Sequence, residues 1–531
     1  MSRRERPPWI RRARVALGSP AVALIAAYGL LLTAWVMSAP PTSGNDETEH
    51  FIKATGIAYG QILGEDLVPA DRRQWMDRSW LQFGDDEFGS ASRRYLESVS
   101  RVVTIPASLR PPQTSACFAF HPAESAACLT QASERHDLTR VATYMATRGP
   151  ASYLIPAVAI RLSRSSFVAL RLARGVTAMT WILFVGCALW LTRVPRGQPW
   201  LVLGAVAAIT PMYLYHGAML GSSALELSAA FAVLCGILDL QRNRKLTSAG
   251  WRLTGSATVA LAVARPTGPV FVITYGLFAA IILGRAGIRD LVQGSRRTLV
   301  AFFVATIASM ALSVAWQVGV EEPSPFGIAG WPSVMDEAFG SIPVMLRQTI
   351  GVFGEGLDTE LPLAVYATWT MAVVGLIGLA MRIGTKIQRR IIMALIAGGT
   401  LAFVADFIFL AYPFRGIPQA RWVLPILIMI PLYAGEVIRQ CPHGVQQFRR
   451  PLSTMVYVLM SLHIVSLVAA ARRYATGLDG PWLFAKGAEW TPPLGWGPWL
   501  VVALASILPI GVLTRLRHAF SPEVGGSLGV K

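Results

Sequence analysis

The sequence predicts an all-α membrane protein that crosses the bilayer about twelve times. Three observations lead there. Of 531 residues, 53% are hydrophobic and only 15% charged, whereas soluble domains run nearer a quarter charged. Mean hydropathy is +0.48. The apolar residues gather in runs close to the length of about 20 that a spanning helix needs. These features exclude a disordered chain and argue against a soluble globular enzyme. A net charge of +18 would suggest nucleic acid in a soluble protein. In a polytopic one it asks on which side of the bilayer the charges lie.

The expected spans are 20–38, 169–192, 199–218, 222–240, 251–266, 268–284, 298–318, 362–381, 391–411, 422–438, 452–470 and 497–514. The fifth and sixth are short and meet at Arg265-Pro266. The N-terminus carries six arginines between Arg3 and Arg14. Later basic loops hold Arg193/Arg196, Arg242/Arg244/Lys245, Arg285 to Arg297, Arg382 to Arg390, Arg439 to Arg450 and Arg515/Arg517. With twelve spans all of them share the N-terminal side, which the positive-inside rule makes cytoplasmic, together with both termini. The positive charge is thus mainly a topology signal, and no nucleic-acid partner is expected.

The expected organisation is a basic N-terminus (1–19), a first span (20–38), a large extracytoplasmic loop (39–168), a multi-helix membrane domain (169–514) with outer loops 319–361 and 471–496, and a tail (515–531). The large loop is expected to be mostly helical. Residues 150–160 are apolar but too short to cross and are interrupted by Pro156, so they read as a helix lying in the outer interface. The first run has the basic flank of a signal peptide, yet it is long for one and Pro40-Pro41 follows its only small-residue site, which favours an uncleaved anchor. Five cysteines show no zinc spacing. Cys117 and Cys128 bracket a short polar loop and are candidates for a disulfide if that loop faces an oxidising compartment.

The strongest chemical signal is Asn45-Asp46-Glu47-Thr48-Glu49-His50, where the chain leaves the first span. Helical periodicity from Phe51 onward places Glu47, His50, Phe51, Ala54 and Ala58 on one face. An acid and an imidazole beside an apolar face suit a general base for a hydroxyl substrate delivered at the interface. Asp46 followed by Glu49 is also a capping-box pattern, so Asp46 reads equally as a helix cap. Glu47-Thr-Glu-His50 has E-x-x-H spacing, but there is no second copy such as a di-iron bundle requires. A single divalent cation on Asp46 and Glu47 stays open.

Ionisable residues at membrane depth mark functional candidates. Arg265, Arg415 and Arg421, with Arg171 and Arg174, lie at outer ends of spans, against the positive-inside bias. A guanidinium fork suits phosphate, although snorkelling to lipid headgroups gives the same pattern. Glu226 and Asp406 read as structural partners for these arginines, and His216 and His463 as packing residues.

With these residues in view, the chain resembles the bacterial polytopic family named domain of unknown function 2142, grouped with the GT-C membrane glycosyltransferases. The matching pieces are Pro40-Pro41 through Asp46-Glu47-Thr-Glu-His50-Phe51, Gly149-Pro150-Ala-Ser-Tyr153, Arg171-Leu-Ala-Arg174, Ala264-Arg265-Pro266, Gly351-Val-Phe-Gly354-Glu-Gly-Leu-Asp358, and Gln419-Ala-Arg421-Trp-Val-Leu-Pro425. They run in family order over nearly the whole chain. The family commonly has Gly-Arg-Tyr where this chain has Ala420-Arg421-Trp422, and Ala151 and Ser152 replace a second proline and an aromatic.

The resemblance implies a GT-C-like fold in the bacterial plasma membrane and transfer of a sugar from a polyprenyl-phosphate-linked donor to an envelope glycan or lipid acceptor. Asp46 would be the base, Glu47 its neighbour or a metal ligand, and His50 a phosphate-binding or acid-tuning group. Arg421 and Arg265, with Arg415 near them, would neutralise the leaving phosphate, and Tyr153 would wall the sugar site. A flippase for lipid-linked precursors and a non-catalytic membrane partner are the competing readings. Against the flippase, the halves show no repeat of the kind transporters often carry.

Overall fold

The computed structural model describes residues 20–511 except 70, 73–94, 113–116, 120, 131–134, 136, 192–198, 245, 321–330, 412–417 and 441–448. Apolar runs become helices because a helix satisfies its own backbone groups, as a membrane interior requires. In order these are α1 (Pro20–Ser38), α2 (Glu47–Ala58), α3 (Leu154–Ile160), α4 (Ser166–Leu191), α5 (Pro199–Ala208), α6 (Pro211–Ala218), α7 (Ser222–Asn243), α8 (Ser248–Ala264), α9 (Gly268–Val320), α10 (Trp331–Ile350), α11 (Leu363–Ile383), α12 (Lys386–Asp406), α13 (Leu424–Leu427), α14 (Met429–Gln440), α15 (Arg449–Thr476) and α16 (Trp496–Ala505). α7 packs between α4 and α8, α8 lies on α9, and α5 lies on α14. The α5–α14 contact is close because two glycines face each other: a Cβ on Gly204 would stand 2.7 Å from the Pro431 carbonyl, and one on Gly435 2.8 Å from that of Trp200. Outward faces stay apolar, with Ile273, Leu277, Phe303, Ile307 and Leu312 among the exposed side chains of α9, as lipid solvation demands.

The chain is an all-α, multi-pass membrane protein. Among the described residues seven helices are long and apolar enough to cross, or eight if α5 and α6 form one bent crossing. The expectation was about twelve. The difference lies in how the helices are interrupted. The run 251–266 becomes the 17-residue α8, and 497–514 the short α16. The run 422–438 is divided between α13 and α14. The two runs 268–284 and 298–318 are joined in α9, with breaks at Gly284 (φ 63°) and Ser295. A straight helix of that length would reach about 80 Å, far beyond a bilayer, so these breaks are where the chain changes course.

The bend between α5 and α6 is 60° and has a plain cause. Pro211 has no N–H for the Ala207 carbonyl four residues earlier. Thr210 instead caps α6 through Tyr213 N (3.2 Å), and the freed Ala207 carbonyl accepts from Trp369 Nε1 at 3.1 Å. Trp369→Phe should therefore strand a buried acceptor and cost about 1–3 kcal/mol. A detergent-solubilised variant unfolding at the wild-type temperature would refute that.

The first loop adds a sheet to the mostly helical expectation. Strands β1 (Glu65–Asp66), β2 (Arg101–Pro106) and β3 (Leu138–Thr143) pair antiparallel in that order, with Val103 opposite Val141. The β-branched Val102, Val103, Thr104 and Ile105 favour this, and the 3.6-residue pattern weighed for the loop does not reveal it. The sheet packs under α2 through Ile52, Val103, Ile105 and Val141. Gly56 permits that approach, since a Cβ there would lie 2.7 Å from Val103. The turn Pro150–Tyr153 and α3 form an apolar helical unit too short to cross, with Leu154, Ile155 and Val158 facing outward.

Candidate active site at the start of the second helix

Asp46 sits where the chain turns from α1 into α2. Its backbone is left-handed (φ 55°) and its side chain makes no capping bond. The capping-box reading therefore fails: the carboxylate is turned away from its own helix. Asp46 Oδ1 accepts from the Tyr144 hydroxyl at 2.7 Å and Oδ2 from Arg421 Nη2 at 2.5 Å. Burial pushes the carboxyl up, but Arg421, His50 and the two hydrogen bonds outweigh it and hold it at about 2. A non-glycine residue kept in a left-handed conformation is a typical mark of a functional position.

Glu47 points the other way and is fully buried against Arg174, itself fully buried. Its Oε1 accepts from Arg174 Nε (2.7 Å) and Leu220 N (3.0 Å), and Oε2 from Arg174 Nη2 and Gly44 N (3.1 Å). A carboxylate offers about four lone-pair positions, and all are taken. The same guanidinium donates to the carbonyls of Ala39 (2.9 Å) and Pro40 (2.7 Å). Glu47 thus ties the exit of α1 to α4 and to the chain before α7. The expectation named Glu47 as a catalytic group or metal ligand; here its oxygens are engaged by Arg174, Leu220 and Gly44. Asp46, engaged by Tyr144 and Arg421, has no second carboxylate from Glu47 to share a cation with. Among the described residues, no three His, Cys, Asp or Glu side chains converge on a metal position.

His50, one turn into α2, meets Tyr153 with Nδ1 and Oη 2.7 Å apart. Burial, with Arg421, Arg265 and Arg148 nearby, draws the imidazole down to about 3 despite Asp46, so it is neutral. The same burial lifts the Tyr153 hydroxyl above its ordinary range. Arg265 follows α8 and reaches Glu226 Oε2 (3.1 Å) and Ser223 Oγ (3.4 Å). Arg265 and Arg421 lie on the Trp422 ring, each guanidinium carbon 5.8 Å from its centroid. Asp406 makes no ion pair among the described residues. Arg415 lies outside them.

Asp46, His50, Tyr153, Arg265 and Arg421 thus gather at one place, although the chain positions them from four distant segments. The sequence did not single out Tyr144 or Arg148, and Glu355 stood only within the matching piece Gly351–Asp358, with no role given to it. Glu355 comes from the loop between β4 (Val352–Phe353) and β5 (Thr359–Glu360), an antiparallel pair. Asn45 Nδ2 donates to the Gly354 carbonyl at 2.9 Å and lies 3.5 Å from that of Glu355. Asp358 anchors the loop to Arg473 Nη2 at 2.8 Å. Arg473 also binds the carbonyls of Phe118 (2.6 Å), His121 (3.1 Å) and Glu124. Those carbonyls belong to the segment closed by a disulfide between Cys117 and Cys128.

Several buried polar atoms around Asp46 have no partner within the protein: Asn45 Oδ1, Glu355 Oε2, Arg421 Nε and His216 Nε2. Buried polar atoms are nearly always paired. These atoms leave acceptors and donors around Asp46 that a ligand could engage.

The family described as "Predicted membrane protein (DUF2142)" matches residues 30–430, most of the chain, and the chain belongs to that family. No curated protein matches. Among solved structures the chain is similar to ArnT from Cupriavidus metallidurans in the apo state, at 14% identity and TM-score 0.37, covering 96% of this chain and 77% of that one. It is also similar to the same protein bound to undecaprenyl phosphate, at 14% identity and TM-score 0.39, covering 94% and 76%.

Proposed function

We propose that this member of the DUF2142 family is a GT-C-type glycosyltransferase. It moves a sugar from a polyprenyl-phosphate-linked donor to an envelope glycan or lipid acceptor on the outer side of the bacterial plasma membrane, with both termini cytoplasmic. The observation that carries this reading is Asp46, freed from capping and held ionised against Arg421, whose Nε is buried and still unpaired.

The chemistry follows from that pair. The acceptor hydroxyl attacks the anomeric carbon and gives its proton to Asp46. The bond from that carbon to the phosphate oxygen breaks, and the phosphate keeps the electron pair. Arg421 takes up the new charge, with Arg265 and Arg148 adding positive potential. Attack opposite the leaving group inverts the anomeric centre. A carboxyl held at about 2 is a weak base at neutral pH. A bound phosphate competing for Arg421 would loosen its hold and raise the basicity of Asp46 when the donor is in place. His50, neutral and bonded to Tyr153, orients the wall of this pocket.

The test is a deletion strain of the host, compared with its parent by mass spectrometry of envelope glycans and lipid-linked sugars. The expected result is a missing glycan sugar together with accumulated polyprenyl-phosphate sugar. An unchanged glycan and lipid pool would reject the reading. A pool trapped on the cytoplasmic face would point to a flippase. Arg421→Ala in the purified protein should weaken polyprenyl phosphate binding by about tenfold or more, the loss of roughly one charge-assisted bond. Unchanged lipid affinity would reduce Arg421 to an anchor for Asp46.

A further inference from the structure

We infer that Asn45 and Glu355 form a subsite for sugar hydroxyls beside Asp46. The inference rests on the glycosyltransferase reading and deepens it.

The two residues lie side by side next to Asp46: Asn45 precedes it in the chain, and the Asn45 amide reaches the Gly354–Glu355 backbone. Asn45 is only 7% exposed. Its Nδ2 is committed to the Gly354 carbonyl at 2.9 Å and lies 3.5 Å from that of Glu355. Two carbonyl acceptors on one end fix the amide orientation, because the oxygen end would be repelled there. Oδ1 is therefore left as the free end, buried and unpaired, as is Glu355 Oε2. Leaving such atoms unpaired costs about 1–3 kcal/mol each.

The missing partner of Asn45 Oδ1, an acceptor only, must supply a donor. A phosphate offers none at neutral pH, so the ligand of this atom differs from the one that suits the arginines. A cation would have to settle within the field of Arg421, which acts on Glu355. Burial, helped by the charge of Asp46, lifts the Glu355 carboxyl well above the usual carboxylate range, which favours its protonated form and weakens any hold on a cation. Neutral O–H groups fit, and a sugar ring carries several. The left-handed Gly354 (φ 91°), the β4–β5 pairing and the Asp358–Arg473 bridge keep Glu355 in place.

The hydroxyls belong either to the acceptor glycan or to the donor's own sugar, and both arms can be measured on the full chain in lipid nanodiscs. The probes are methyl glycosides of common hexoses and pentoses, bare undecaprenyl phosphate, and undecaprenyl phosphate carrying a hexose or pentose. The readout is the rise in unfolding temperature with concentration. Asn45→Ala and Glu355→Ala should each weaken a glycoside by about tenfold or more while leaving bare undecaprenyl phosphate unchanged, which also reports that the variants are folded. Glu355→Gln should keep the glycoside, because it preserves a neutral group of the same shape. If the loss falls instead on the sugar-bearing lipid relative to the bare lipid, the hydroxyls read are the donor's.

The subsite is overturned if both alanine variants bind every sugar probe as the wild type does, or if the wild type gains nothing from sugar. It is also overturned if Glu355→Gln fails as fully as Glu355→Ala, since an anion would then be needed. Failure of bare undecaprenyl phosphate to bind the wild type would instead defeat the transferase reading itself.

Discussion

Asp46→Asn should abolish sugar transfer in a protein that still folds. A positioned base typically contributes about 10²–10⁴-fold, and asparagine cannot take the acceptor's proton. Asparagine adopts the left-handed conformation as readily as aspartate, so the φ of 55° is no obstacle. No cap is lost, because the Asp46 side chain makes none. The cost lies elsewhere: Arg421, only 5% exposed, loses its counter-charge, and the new amide nitrogen must face the Tyr144 hydroxyl, which has to turn from donor to acceptor. That should amount to about 1–3 kcal/mol, visible as a lowered unfolding temperature with normal membrane insertion. In the complemented deletion strain the glycan sugar should stay absent and the lipid-linked sugar should stay high. Full rescue by this variant would remove Asp46 as the base and bring the flippase or scaffold readings forward.

The bundle was legible because hydropathy is a one-dimensional signal, and the apolar runs coincide with helices. What hydropathy did not show is where a run is broken. Pro211 lies inside the expected span 199–218, and a helix cannot pass through it without surrendering the Ala207 carbonyl. The site was half legible. Asp46 and His50 stood out because charges are rare beside a span, and Arg265 and Arg421 because they oppose the charge bias. Tyr144 and Arg148 lie in an ordinary polar loop, and Glu355 stood in a matching piece without a role; only the β2–β3 sheet and the β4–β5 pair bring them to the site. The surroundings of Glu47 were hidden for a related reason. Its partner Arg174 is 127 residues away, and adjacent acids look alike until their partners are seen.

Breaking the Glu47–Arg174 pair should destabilise the protein more than any change at Asp46. Both side chains are fully buried, so Arg174→Ala leaves an uncompensated anion in the interior, a change that costs about 3–5 kcal/mol. It also strands the Ala39 and Pro40 carbonyls. Glu47→Gln keeps the shape but strands one or more of the donors from Arg174, Gly44 and Leu220. It should fall between wild type and Arg174→Ala in unfolding temperature. Replacing both partners by apolar residues should recover only part of the loss, since the backbone groups they satisfy remain. The contrast between the two acids is what discriminates their roles. If Glu47 were catalytic, Glu47→Gln would be inactive at wild-type stability, as expected for a base. If it is the anchor the geometry describes, stability falls first, and whatever folded protein remains retains transfer in proportion. A Glu47→Gln protein that unfolds with the wild type yet transfers nothing would restore the catalytic role.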